Sequence, residues 1–132
     1  MEEVWVALLQ HQDNLTDTCT RLAFHVIIYD AQVSISLLTR PLIAYSEVSL
    51  ELPCPPSLWN SKTAHVWRNV YQETTILSNC IPSLNNCIHD LSPLSEASAS
   101  IDTQYSSYIV LHAIWSLISD YRQLEFVPKP LP

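Results

Sequence analysis

Residues 16–38 read TDTCTRLAFHVIIYDAQVSISLL, with neither glycine nor proline among them. Thr18, Arg21, His25, Gln32 and Ser36 fall near one stripe at helical spacing, while Leu22, Phe24, Val26, Ile27, Val33 and Leu37 fill most of the remaining circumference. A helix that is apolar over most of its girth belongs in a core. The stretch is therefore expected to form a long core helix, entered through Asn14, Thr16 or Asp17 as caps. It should stop before Pro41, because the residue preceding a proline avoids the helical region. Asp30 stands apart from the polar stripe among apolar residues. A buried carboxylate needs hydrogen-bond donors or a cation, so Asp30 is expected to pin the following loop through backbone amides, Tyr45 or Arg40 rather than to sense a ligand.

The rest of the chain is read outward from this helix. Residues 4–12, around Trp5, are an apolar segment of helical type. Residues 41–58 hold four prolines and the alternating run Val48, Ser49, Leu50, Glu51, Leu52, which predicts an extended, ordered loop too apolar to be a solvated linker. A short helix is expected from Ser61, as cap, to Tyr71, with Ala64, Trp67 and Val70 or Tyr71 on one side. Pro82 breaks the next segment, and residues 92–102 are the most loop-like. A last helix is predicted from Thr103 to Glu125, with His112, Ser116, Ser119 and Gln123 as its polar stripe. No repeat and no heptad array of useful length stands out.

Composition narrows the function classes. The 132 residues contain no glycine, against a usual 7% or about that, which argues against phosphate-cradling loops and tight primed hairpins. The net charge is −7, and the basic residues Arg21, Arg40, Lys62, Arg68, Arg122 and Lys129 are scattered. Nucleic-acid binding draws on clustered cations that release counterions, so direct DNA binding is not expected. The longest apolar stretch is interrupted by His25, Asp30 and Gln32, so no membrane span is expected. Charged residues amount to 14%, low for a free-standing domain surface. Part of the surface is therefore expected to meet something else.

Site chemistry is sparse. Cys80, Cys87 and His89 match no standard zinc spacing. The four cysteines, with no signal peptide ahead of them, are expected as free thiols in a reducing compartment. A nucleophile elbow is excluded without glycine, and His25 and His112 read as exposed or partly satisfied. Asn14-Leu15-Thr16 reads as capping rather than as a glycosylation acceptor. Trp59 and Trp67 are expected to tie the proline-rich loop to the helices, with partner anchoring as the alternative. No catalytic, cofactor or metal residues are assigned.

Two stretches, residues 21–71 and 111–126, resemble the fungal-specific transcription factor domain, the regulatory region that follows zinc-finger modules in many fungal regulators. The matching features are Arg21 opening a long helix, Asp30, Pro41, Tyr45-Ser46-Glu47, Leu52-Pro53-Cys54, Leu58-Trp59, Trp67 and Tyr121-Arg122. Where the family often has alanine two residues after the first tryptophan, this chain has Ser61. The resemblance implies an all-α fold, with two long core helices, short helices and an ordered proline-rich loop, as residues 1–132 of a larger helical domain. It implies transcription regulation in a fungal nucleus, without a DNA-binding module in this chain. Zinc is implied only for the finger region, which is absent here. The alternative is a finger-less interaction module that pairs with an intact regulator or with itself through its apolar helix faces.

Overall fold

The computed structural model describes residues 1–45, 48–77 and 81–125, with the side chains of residues 75–77 excepted. The fold is all-α. Helix α1 runs from Glu2 to Leu37 and is followed by α2 (Pro56–Trp59), α3 (Ala64–Leu77), α4 (Leu84–His89), α5 (Ser92–Glu96) and α6 (Thr103–Glu125).

The expected break between residues 4–12 and 16–38 does not occur. Helix α1 passes through both as one rod of 36 residues, and Asn14, Thr16 and Asp17 lie in its interior rather than at a cap. The hydroxyls of Thr16 and Thr18 donate back to the carbonyls of Gln12 and Asn14, one turn earlier, so they do not compete for backbone amides. Asp17 is buried and partnered across the fold. Without glycine or proline, nothing in residues 11–18 forces the helix to end.

The end of α1 is local chemistry. Leu38 sits in the left-handed region, at φ 53° and ψ 37°. Its amide reaches the Ile35 carbonyl and the Thr39 amide reaches the Ser34 carbonyl at 3.0 Å. This is a Schellman closure with leucine where glycine is usual. The Ser34 hydroxyl donates to the Thr39 carbonyl at 2.6 Å and fastens the exit.

Other boundaries shift for similar reasons. Helix α3 begins at Ala64 and takes its cap from Thr63, whose hydroxyl accepts from the Val66 amide, not from Ser61; it also runs beyond Tyr71 to Leu77. Residues 82–89, read only as a proline break, contain α4, capped by the Ser83 hydroxyl at the Asn86 amide. The segment at 92–102 holds α5 before its turns. Within residues 48–52, read as extended from their alternation, Glu51 takes part in a β-bridge. Leu52 donates to the Pro82 carbonyl and Leu84 donates to that of Leu50, forming an isolated antiparallel bridge.

Helices α1 and α6 run in the same direction. Arg21 meets Asp102, Gln32 meets Tyr108 and Arg40 meets Asp120, so residue numbers rise together along both. One side of this pair forms the core with the loop and α4. Phe24, Ile27, Ile28 and Ala31 pack with Ile109, Val110, Ala113, Leu84, Cys87, Leu52, Tyr45 and Ile101. Ser116, assigned to the polar stripe of α6, is instead 1% exposed.

Candidate functional site

The residues singled out in the sequence gather around Arg21. This guanidinium lies one helical turn from Asp17, and its Nε donates to Asp17 Oδ2 at 2.7 Å. Nη1 donates to Asp102 Oδ2 at 3.2 Å, and Nη2 to the Cys54 carbonyl at 2.8 Å. The same group lies over the rings of Trp59 and Tyr105, at 5.2 and 5.7 Å from their centroids. Burial by itself would lower the Arg21 pKa, but Asp17 and then Asp102 outweigh that and hold it above its ordinary value.

Each partner has a second task. Asp17 Oδ1 accepts from the Cys54 amide at 3.0 Å. Asp102 caps α6, accepting from the Tyr105 amide at 3.1 Å, and its own amide donates to the Pro53 carbonyl. The Tyr105 hydroxyl returns to the Arg21 carbonyl at 3.3 Å. One arginine therefore ties together α1, the Pro53-Cys54 corner, α2 and the start of α6. The Cys54 thiol is pushed up to about 12, first by burial and then by the charge of Asp17. A shift in this direction disfavours the nucleophilic thiolate.

Asp30 holds the next corner. Its two oxygens accept from the amides of Leu42 and Ile43, at 3.1 and 3.0 Å, just after Pro41. Tyr45 and Arg40, the other partners considered, are engaged elsewhere. The Tyr45 hydroxyl donates to the Ile27 carbonyl, and Arg40 pairs with Asp120 at 2.8 Å. Burial, then the charge of Asp30, pushes the Tyr45 phenol up to about 12. Glu47, with Ser46, lies outside the described residues, and so does Cys80.

The two motif tryptophans point inward. Trp59 is half-buried beneath Arg21, and Trp67 is 4% exposed and stacks on Tyr71 at 5.0 Å. Trp67 also lines a groove of about 600 Å³ between α1 and α3, with Trp5, Val6, Leu9 and Asp13. Burial and the nearby charge of Asp17 push the Asp13 carboxyl above its ordinary range. The Trp67 indole N–H makes no hydrogen bond of good geometry, yet it is close enough to offset part of that shift. Tyr121 and Arg122, the last pair in the motif, are exposed on α6 and do not join the Arg21 cluster. Cys87 is buried while His89 is exposed. Among the described residues no three metal-ligating side chains converge, and no helix is long and apolar enough to cross a membrane.

Sequence reasoning missed Asp17, Cys54 and Asp102 as one cluster. The i,i+4 spacing of Asp17 and Arg21 was a legible signal, as was Asp102 directly before a predicted helix. The apolar helix faces expected to meet a partner lie on the outside of the long helices. Leu22 (63%), Val26 (54%) and Tyr29 (68%) of α1 are exposed, as are Leu111 (64%), Trp115 (51%) and Ile118 (44%) of α6. All lie opposite the core rows.

Set against protein-family profiles, curated proteins and solved structures, the chain finds no significant match.

Proposed function

We propose that the chain is a helical regulatory module of the kind that accompanies zinc fingers in fungal transcription factors, acting in the nucleus through protein contacts. The reading is non-catalytic and leaves DNA recognition to a module outside this chain. The observation that carries it is the convergence on Arg21. The motif elements Arg21, Pro53-Cys54 and Trp59 are spread over 39 positions of the sequence, yet they meet in one hydrogen-bonded cluster. Asp30 with Pro41 forms the adjoining corner. The motif residues Trp67, Tyr121 and Arg122 lie outside this cluster.

Electrostatics support the absence of DNA contact. Arg21, Arg40 and Arg68 are each engaged with a carboxylate, and the net charge is −7. Phosphate anchoring is therefore not provided for. Tethering the chain to an unrelated DNA-binding domain in a fungal reporter strain tests the regulatory reading. Reporter output should change, and Arg21→Met should abolish the change. An unaltered reporter, or micromolar binding of the isolated chain to mixed-sequence duplex, would overturn it.

A second reading, a finger-less module that pairs with an intact regulator, is favoured by the exposed apolar residues of α1 and α6. Co-purification with a finger-bearing protein separates it from the first.

A further inference from the structure

Along the outside of α1 the apolar residues follow a spacing of three and four. Leu8, Leu15, Leu22 and Tyr29 alternate with Gln12, Cys19, Val26 and Val33. This is a heptad seam, with leucine and tyrosine at the d positions and Gln, Cys, Val and Val at the a positions. It was not evident as a heptad array in the sequence, because a second apolar row on the inner side of the same helix overlies it. The structure separates the two. Phe24, Ile27, Ile28 and Ala31 of the inner row are at most 5% exposed, whereas Leu8, Leu15, Leu22, Val26 and Tyr29 are 55, 58, 63, 54 and 68% exposed. Gln12 and Cys19 are also exposed, and Val33 is half-buried.

We propose that this seam is a homodimer interface, with α1 pairing in parallel and in register with α1 of a second copy. The argument for a second copy is chemical. Two of the four a positions, Val26 and Val33, are valine and three of the four d positions are leucine, and valine at a with leucine at d favours two parallel strands. An isologous contact needs one patch that complements itself, and a row of apolar knobs around a two-fold axis does so. The flanking g positions are His11, Thr18, His25 and Gln32, and the e positions are Leu9, Thr16, Ala23 and Asp30. Only one of these carries a full charge, so no row of like charges opposes close approach. The Asp30 carboxylate is already turned to the Leu42 and Ile43 amides.

The area is adequate. The five exposed seam residues offer on the order of 500–600 Å² of apolar surface per copy, and the flanking rows raise the buried area toward the roughly 800 Å² per partner of a stable pair. In this register the two copies of Cys19 face each other at an a position across the axis. This inference does not depend on the transcriptional reading, because an unrelated helical protein with the same seam would pair in the same way.

Sedimentation equilibrium of the full chain is the test. The expected mass is twice the 15.0 kDa of the chain. A Leu22→Lys, Val26→Lys double variant should be monomeric with its helical circular dichroism intact, because both side chains are exposed. In a Cys80→Ser background, a short bis-maleimide should link two chains through Cys19, since Cys87 is buried and Cys54 is half-buried. A monomer of the unmodified chain up to about 100 µM, polydisperse aggregation in place of a defined dimer, or a dimer unaffected by the double substitution would each overturn the proposal. A dimer that dissociates on substitution but is not linked at Cys19 would overturn the parallel register.

Discussion

Replacing Arg21 with methionine removes the cation while keeping most of the side-chain volume, and the structure sets the cost. Asp17 and Asp102 have side chains 9% and 12% exposed, so both carboxylates stay out of water when their partner is gone. The Cys54 carbonyl loses its donor as well. Removing one member of a buried ion pair costs about 3–5 kcal/mol. The Arg21 side chain is itself 18% exposed, which places the effect toward the lower end of that range. Loss of the guanidinium from above Trp59 and Tyr105 adds about 0.5–1 kcal/mol. A total of about 3–4 kcal/mol is expected, a large share of the roughly 7–20 kcal/mol typical of a chain this long. Urea denaturation followed by circular dichroism measures it directly, and the melting temperature should fall by about 10 °C or more. Arg21→Lys keeps a charge but cannot span three acceptors, so it should lose an intermediate amount. A double-mutant cycle with Asp102→Asn, which preserves a good helix cap, should give a coupling of about 1–3 kcal/mol. A loss below about 0.5 kcal/mol for Arg21→Met would refute the claim that this cluster holds the helices and the Pro53-Cys54 corner together.

Three further outcomes follow from single residues. Leu38→Gly should stabilise the chain by about 1 kcal/mol, because the left-handed turn penalises a β-carbon and Leu38 is 82% exposed; an unchanged midpoint in urea would count against strain at this position. Asp30→Leu should cost about 1–2 kcal/mol, since it leaves the Leu42 and Ile43 amides without their acceptor, and thermal melts will register it. Asp13 has its folded pKa raised above 3.8, so its charge opposes folding. That penalty is absent below the unfolded value, grows as the pH rises past it and is complete above the folded one. Asp13→Asn should therefore raise the melting temperature at pH 7, with the gain shrinking as the pH is lowered toward about 4; a gain independent of pH would point to a cause other than ionisation.

Much of the fold was legible because the local signals were strong. The limits of α6, Thr103 and Glu125, follow from an uninterrupted helical period between Asp102 and Pro128. Pro41 announces that α1 must stop before it, although the stop at Leu37 is made by the closure at Leu38, Thr39 and Ser34. The continuity of α1 was not legible. Asn14, Thr16 and Asp17 look like a cap in isolation, and the partner that turns Asp17 into an interior residue comes from position 54. Helix α4 has six residues, too few to display a period, so only Pro82 and Ser83 announce it. Of the site residues, Asp30 could be reasoned from its misplaced charge, but the meeting of Arg21, Cys54 and Asp102 depends on contacts across 33 and 81 positions. Spacing alone carries no information over such distances.

The division of α1 into two apolar rows explains why the same sequence can read as core and still leave a large face open. An apolar residue on a helix reports that it will be covered, but not by what. The inner row is covered within the chain, because the Arg21 cluster fixes α6 and the loop on that side, with Asp102 joining the two. The outer row lies on the side of the rod opposite that core, although Gln12 also lines the groove against α3. With the Arg21 cluster at one end of the α1–α6 contact and the exposed Arg40–Asp120 pair just beyond the end of α1, the inner rows of both helices face the core. The outer row is thus presented whole rather than twisted into the interior. Stability and association should then separate experimentally. Substitution at Arg21 should lower stability and disturb the outer face only through unfolding, whereas lysine at Leu22 and Val26 should leave the monomer's stability nearly unchanged and remove its ability to pair.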